Sequence, residues 1–171
     1  MNPLIQAYDA KVIISKQLAN FTTTDCSINA SSGRILREDI VADRPLPPYN
    51  RSMMDGYALR LSDIAKVQSF KIASIASAGS QEKVLGKTIG CCIEIMTGAV
   101  LPSGADIVIP YEETEILANG EVRILPEANH IVGNAIHAMG SDHNSNEVLV
   151  RAGCIIGSRE IAIAATCGYS I

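Results

Sequence analysis

The segment YNRSMMDGYAL, residues 49–59, directly follows the proline-rich stretch RPLPP of residues 44–48. It places an Asp-Gly pair, Asp55 and Gly56, behind two methionines at the exit from a turn. Such a pair is typical of a β-hairpin, because glycine adopts the positive φ that tight turns require. It equally suits a carboxylate presented to a ligand by a backbone that only glycine permits. The segment alone leaves both interpretations open.

The sequence beyond this segment is typical of β-structure. TIGCCIEIM, residues 88–96, predicts a strand with Ile89, Cys91, Ile93 and Ile95 on one face and Cys92, Glu94 and Met96 on the other. ADIVIPYEETEIL, residues 105–117, predicts a further strand, in which Pro110 indicates an edge or a bulge. EILANGEVRIL, residues 115–125, predicts a hairpin with Asn119-Gly120 as a type I′ turn.

Helices are predicted at both ends of the chain. The first runs from an Asn2 cap to about Ala19, because apolar residues recur there at helical spacing. The last begins after an N-cap at Ser158, continues through about Cys167 and stops at Gly168. A short helical segment is expected over residues 26–31, and two short strands are expected around Ala152-Gly153.

These elements predict an α+β fold that is mostly β. We expect an N-terminal helix over residues 1–20 and a small discontinuous α/β domain formed by residues 21–44 and 147–171. An irregular β-sheet domain, residues 45–146, is expected to be inserted into that small domain.

Composition excludes several classes of function. The 171 residues carry a net charge of -4 and contain no run of Lys or Arg, which argues against nucleic acid as a partner. No apolar run approaches the length of a membrane span, and charged residues interrupt the first seventeen residues. The five cysteines form no Cys-x-x-Cys motif, which favours reduced thiols in a cytoplasmic protein.

Polar residues next to glycine concentrate in three clusters. They comprise residues 52–57, residues 97–106 and residues 140–143. Hairpin turns use the same residue types, so each cluster has a purely structural interpretation. Neither a Ser-His-Asp arrangement nor a phosphate-binding or dinucleotide-binding glycine motif is present. Spacing alone therefore does not assign a function.

The combination of motifs resembles one family. GRILREDIVADRPLPPYNRSMMDGYALRLSDI (residues 33–64), IEIMTGAVLPSGADIVIPYEET (residues 93–114) and the tail from Gly140 to Ser170 are similar to molybdopterin molybdenumtransferases, the MoeA and gephyrin E-domain family. The segments occur in the family's order and cover nearly the whole chain. The resemblance implies a fold like the N-terminal region of MoeA and favours Asp55 as a presented carboxylate.

The resemblance also implies a reaction: insertion of molybdenum from molybdate into adenylylated molybdopterin, with release of AMP and assistance from Mg²⁺. It implies catalytic roles for Asp55, which would also orient the metal, and for Thr97. It implies that the substrate cleft is lined by Ser52, Gly56, Gly98, His137 and Asp142. The resemblance also implies a homodimer, and a pterin-binding domain outside these 171 residues that would act in cis or in trans. We therefore expect the chain alone to be inactive.

Two departures from the family pattern define an alternative. The usual Phe-Asp-Asn-Ser-Ala-Met-Asp-Gly reads YNRSMMDG at residues 49–56, which loses an acidic residue and gains Arg51. The family typically has an Arg-rich segment before the position of Gly140, and this segment here reads His137-Ala138-Met139. Only a protonated His137 could replace an arginine there. The alternative is a stand-alone, non-catalytic interaction or regulatory module. With no pterin-binding domain to cover it, the first helix is expected to be exposed, mobile or buried in a dimer.

Overall fold

The computed structural model describes residues 4–17 and 22–170. It contains two compact units: Met1–Glu38 with Ala152–Ile171, and Asp39–Arg151. The inserted unit thus begins six residues earlier and ends five residues later than expected, because residues 40–41 pair with residues 148–150 inside it.

The helices are α1 (Ala7–Gln17), α2 (Leu61–Ile64) and α3 (Ser158–Thr166), with 3-10 turns at Ile28–Ala30 and Tyr111–Glu113. The strands are β1 (Ile40–Val41), β2 (Arg51–Ser52), β3 (Gly56–Leu59), β4 (Lys71–Ala76), β5 (Cys91–Ile95), β6 (Ile107–Pro110), β7 (Thr114–Ile116), β8 (Val122–Ile124), β9 (Ile136–His137) and β10 (Val148–Val150). None of these helices combines the length and apolar character needed to cross a bilayer.

A four-stranded sheet in the order β4-β5-β3-β6 forms the centre of the inserted unit. Strand β3 is antiparallel to both neighbours, whereas β4 runs parallel to β5. All four residues of β3 and all four of β6 are buried, which explains why their sequences are continuously apolar. Three two-stranded antiparallel pairs, β1-β10, β2-β9 and β7-β8, complete the unit.

Each face of this sheet carries its own apolar cluster. One contains Tyr57, Leu59, Phe70, Cys92, Ile107, Ile109, Val122 and Ala128, and the other contains Ala58, Ala76, Leu85, Ile93, Ile95, Ala99 and Val108. The predicted alternation along residues 91–95 is therefore confirmed, since Cys92 lies in the first cluster and Ile93 and Ile95 in the second. Pro110 ends the edge strand β6, as predicted, where its missing N–H disturbs no central ladder.

Four local predictions need correction. The residue 114–124 hairpin forms, but only Gly120 has positive φ (79°), and Asn119 does not. Its loop is therefore not type I′; the Gly120 N–H bonds to the Leu117 carbonyl, as in a turn followed by a glycine bulge. Helix α1 starts at Ala7, so residues 4–6 are not helical, and the Asn2 cap and Ala19 lie outside the described residues.

At the other end, Gly157 and not Ser158 precedes the first residue of α3, and its N–H donates to the Glu160 carboxylate at 3.0 Å. Gly168 has φ 80°, the conformation expected of a helix stop. Around Ala152-Gly153 only one strand, β10, forms; beyond it Ile155 makes a single bridge to Ile35. No residue of α1 is buried, which agrees with the predicted exposure of this helix.

Candidate active site

Two turns lie side by side at the end of the central sheet and are locked to each other. One spans Ser52–Asp55 and the other spans Met96–Ala99. The Ser52 N–H donates to the Ala99 carbonyl at 3.0 Å, and the Gly98 N–H donates to the Ser52 carbonyl at 2.9 Å. These backbone bonds make the position of one turn dependent on the other.

The second turn needs glycine at its third position. Gly98 has φ 81°, and the Ala99 N–H closes the turn on the Met96 carbonyl at 3.0 Å. A side chain at Gly98 would be strained in this backbone region, which the type II turn requires at that position. The turn leaves the Thr97 N–H and hydroxyl both directed at the first turn.

Asp55 accepts two hydrogen bonds from Thr97. Its Oδ1 is 2.6 Å from the Thr97 amide nitrogen and 2.7 Å from the Thr97 hydroxyl oxygen. The backbone bond first, and the hydroxyl bond second, lower the pKa of the Asp55 carboxyl below its ordinary value. Asp55 is exposed and ionised at neutral pH. Within residues 4–17 and 22–170 no donor reaches its Oδ2, so one carboxylate oxygen is available to a ligand.

The Asp55 carboxylate can supply part of the ligand set of a hard cation such as Mg²⁺. Mg²⁺ in proteins is held by one or two carboxylates together with water and substrate phosphates. Asp55 offers one such oxygen, and in the described part of the chain no three His, Cys, Asp or Glu side chains converge to form a complete protein cage. The residues present therefore fit a Mg²⁺ ion that takes most of its ligands from substrate and water.

Two residues predicted to contact substrate have structural roles. Ser52 is 2% exposed, and its hydroxyl donates to the Met54 carbonyl at 2.6 Å, so its side chain holds the turn together; its part in substrate binding stays a prediction. Gly56 has no positive φ, which excludes the hairpin-turn interpretation of the Asp-Gly pair. A Cβ there would lie 2.1 Å from the Ile109 carbonyl oxygen, so glycine is required because β3 approaches β6 closely.

His137 and Asp142 lie together in a second group of polar side chains. The His137 Nε2 is 2.9 Å from Asp142 Oδ1, and its Nδ1 is 3.2 Å from Nη2 of Arg51. Arg51 and His137 are directly opposite each other in the β2-β9 pair. Because Arg51 is adjacent to Ser52, one short strand connects this group to the turn that carries Asp55. From sequence, Arg51 is recognisable as a gained basic residue, but its place in this group depends on the strand pairing.

A tyrosine and a glutamate next to Asp55 were also missed. The Tyr111 hydroxyl donates to Glu94 at 2.6 Å, and the Tyr111 N–H donates to the Asp55 carbonyl at 3.2 Å. Burial first, and then the bond to Glu94, raise the pKa of the Tyr111 hydroxyl, which stays protonated at neutral pH. The signal was available: Glu94 is the one charged residue in the apolar strand β5.

Asp106, at the far end of the 97–106 cluster, has a structural role. Its Oδ1 accepts the Leu61 N–H at 2.7 Å, at the start of α2. Of the seven predicted site residues, the structure thus brings Ser52, Asp55, Thr97 and Gly98 together in the paired turns, and Gly56 directly follows the first turn. It brings His137 and Asp142 together through a direct hydrogen bond.

Comparison with known proteins points to one family. The family model described as MoeA N-terminal region (domain I and II) matches residues 5–168. A molybdopterin molybdenumtransferase of Synechocystis sp. is 37% identical over 150 residues, which are 87% of this chain and 38% of that protein. Gephyrin of Dictyostelium discoideum is 34% identical over 155 residues, 82% of this chain and 21% of that protein.

A solved structure supports the same assignment. The molybdopterin biosynthesis MoeA protein from Pyrococcus horikoshii superposes with a TM-score of 0.80 and 27% sequence identity, over 98% of this chain and 43% of that one. The chain thus spans well under half of each of these relatives. The predicted fold and resemblance are confirmed, and the chain belongs to the MoeA N-terminal-region family of molybdenum cofactor biosynthesis proteins.

Proposed function

We propose that this chain forms one wall of the active site of an enzyme that inserts molybdenum from molybdate into adenylylated molybdopterin and releases AMP. The observation that carries the proposal is the Asp55-Thr97 pair. It presents an ionised, exposed carboxylate with one unused oxygen, on a backbone held by two interlocked turns. Both residues lie in the motifs that resemble the family.

The charges in this reaction define the role of Asp55. Molybdate and the phosphates of the substrate are anions, so a bare carboxylate would repel them. Asp55 would therefore act by holding a Mg²⁺ ion, which when bound would supply positive charge to offset that repulsion. When bound, the cation would neutralise charge on the leaving phosphate. Asp55 would hold the cation through Oδ2 or accept a proton from a bound water, while Thr97 keeps the carboxylate ionised and oriented.

Other groups of the site are expected from outside this chain. Since the chain spans 38% of the Synechocystis relative, we expect the pterin-binding groups from the rest of such a protein, in cis or in trans, and no activity from the chain alone. His137 and Asp142 would line the substrate side of the wall, and the assembly would be a homodimer. A cytoplasmic location is supported by the five cysteines, all of which are unpaired.

A chimaera tests the proposal. This chain would replace the matching 150-residue region of the Synechocystis protein, in a bacterial strain without its own molybdenum-inserting enzyme. The proposal predicts that molybdoenzyme activity returns with the wild-type chimaera. It predicts no molybdoenzyme activity with the Asp55→Asn chimaera and full activity with the Asp43→Asn chimaera. Asp43→Asn is the matched control, because it also removes an exposed carboxylate, in this case one that pairs with Arg44.

A non-catalytic interaction module is the alternative function. It is favoured by one observation, namely the neutral or apolar residues at positions 137–139, where the resemblance expects basic side chains. On this alternative, the chimaera would accumulate as a folded protein at the level of the parent enzyme and yet restore no activity. Equal protein levels, measured by immunoblot, are therefore needed to interpret a negative result.

A further inference from the structure

We propose that the guanidinium of Arg51 binds an oxyanion of the substrate, either a phosphate ester or molybdate. This inference rests on the proposed function and extends it, because it assigns an anion-binding residue that the family motif does not supply. The observation that prompts it is the hydrogen-bond pattern around Arg51, whose only hydrogen-bond partner among the described side chains is a histidine ring.

Comparison with Arg60 shows how unusual that pattern is. Among the residues that the structure describes, Arg51 and Arg60 are the two half-buried arginines. Arg60 is neutralised by Asp63 at 2.9 Å and donates to the carbonyls of Gly86 and Thr88 at 2.7 Å each. In the described part of the chain, no carboxylate lies within ion-pair distance of Arg51. A half-buried cation with one neutral partner gains most from an anion that arrives from outside.

The histidine positions Arg51 without cancelling its charge. Arginine has only donors, so the His137 Nδ1 accepts the bond from Arg51. The ring proton is then on Nε2, which donates to Asp142 at 2.9 Å. In this neutral tautomer the ring separates the Asp142 carboxylate from the guanidinium. The bond to Asp142 orients the His137 ring, and the ring in turn orients Nη2 of Arg51. The other guanidinium N–H groups of Arg51 stay available for a ligand.

The strand register places this cation where the family pattern expects one. The resemblance expects basic side chains at residues 137–139, and Arg51 is paired with His137 across β2-β9. Residues directly opposite in such a pair have neighbouring side chains, so a guanidinium from β2 reaches the region that an arginine on β9 would occupy. Its planar fork matches two oxygens of a tetrahedral anion.

The test is an NMR titration of the purified full chain at constant ionic strength. AMP is added in one series and molybdate in another, while the amide signals of residues 50–53 and 136–142 are followed. The variants are Arg51→Gln, Arg51→Lys and Arg123→Gln. The last is a matched control, because it also removes one positive charge, in this case one that pairs with Glu115 on the β7-β8 hairpin.

We expect saturable shifts at these residues with at least one of the two anions, and the anion that saturates identifies the moiety recognised. Arg51→Gln should weaken the affinity at least ~10-fold, since a charge-assisted hydrogen bond is lost. The anion affinity of Arg51→Lys should lie between that of Arg51→Gln and that of wild type, because lysine keeps the charge but lacks the planar fork of donors. Arg123→Gln should stay within about twofold of wild type. Ring ¹⁵N spectra should show the His137 proton on Nε2.

Unchanged affinity in Arg51→Gln, an equal loss in Arg123→Gln, or no saturable shift with either anion would overturn the inference. A neutral His137 ring protonated on Nδ1 would contradict the arrangement that positions Arg51. Failure of the proposed function is distinguishable. An inactive chimaera together with Arg51-dependent anion binding would reject the proposed reaction but support the anion site at Arg51. An active chimaera together with unchanged anion affinity in Arg51→Gln would support the reaction but reject the anion site.

Discussion

Replacing Gly56 by alanine should destabilise the central sheet strongly, although only one methyl group is added. The new Cβ would lie 2.1 Å from the Ile109 carbonyl oxygen and 2.9 Å from the Ile109 carbonyl carbon and the Pro110 Cα. An ordinary carbon–oxygen contact is about 3.3 Å or longer, so β3 and β6 would have to separate by roughly 1 Å. All the atoms in the way are backbone, so no side chain can rotate to relieve the clash.

The magnitude follows from that geometry. Overpacking in a core typically costs about 1–3 kcal/mol, and a backbone clash between paired strands belongs at the upper end of that range. For a chain of this length, about 3 kcal/mol corresponds to a fall of roughly 6–12 °C in Tm. The proper control is Gly86→Ala, because a Cβ there meets nothing within 4 Å. We expect that control to be neutral or stabilised by up to about 1 kcal/mol.

Thermal unfolding followed by near-ultraviolet circular dichroism would measure both variants. The edge-to-face pair Tyr57-Tyr111, with ring centroids 5.3 Å apart, reports directly on the sheet. A Gly56→Ala midpoint within 1–2 °C of wild type would refute the close-approach explanation, and so would an equal loss in Gly86→Ala.

Three further predictions concern polar groups. Arg60→Ala should lower the free energy of unfolding in urea by about 2–4 kcal/mol, because it deprives Asp63, which is 2% exposed, of its closer cationic partner; a loss below 0.5 kcal/mol would contradict this. Ser52→Ala should cost about 1 kcal/mol in the same assay, because it removes a buried hydroxyl that is bonded to the Met54 carbonyl, and no change would contradict it. In a pH titration, the Thr97 amide signal should move only at a pH below the ordinary pKa of an aspartic acid. The Asp55 pKa is lowered in the fold, so its stabilising contact is complete above the unfolded pKa and is lost as pH falls through the folded one; a midpoint above the ordinary value would contradict this.

The local patterns of the sequence predicted local structure well. Two-residue periodicity correctly assigned Cys92 and Ile93 to opposite faces of β5, because a strand's alternation depends only on its own residues. The hairpin at residues 114–124 was also predicted, but not its turn type, because both classes of loop use glycine at the same place. Helix ends were misplaced by one to five residues, since caps depend on contacts that periodicity does not encode.

Features that depend on distant contacts could not be derived in this way. The requirement for Gly56 comes from Ile109, on a strand that follows far along the chain, and no local pattern connects them. Ser52 faces inward because its turn is bonded to Ala99. In the sequence Arg51 is an isolated substitution, because its position opposite His137 depends on the β2-β9 register. The family motifs pointed to Asp55 and Thr97, and the structure adds how the two are bonded.

The most direct test of the central claim is the rate of AMP release by the purified chimaera, supplied with molybdate, Mg²⁺ and adenylylated molybdopterin. An asparagine side-chain oxygen can still accept both hydrogen bonds from Thr97, so Asp55→Asn removes the negative charge while keeping the turn geometry. If Asp55 holds the metal or accepts a proton, the rate should fall by roughly 10²-fold or more, with Asp43→Asn unchanged. A rate within threefold of wild type in a folded Asp55→Asn chimaera would contradict the account.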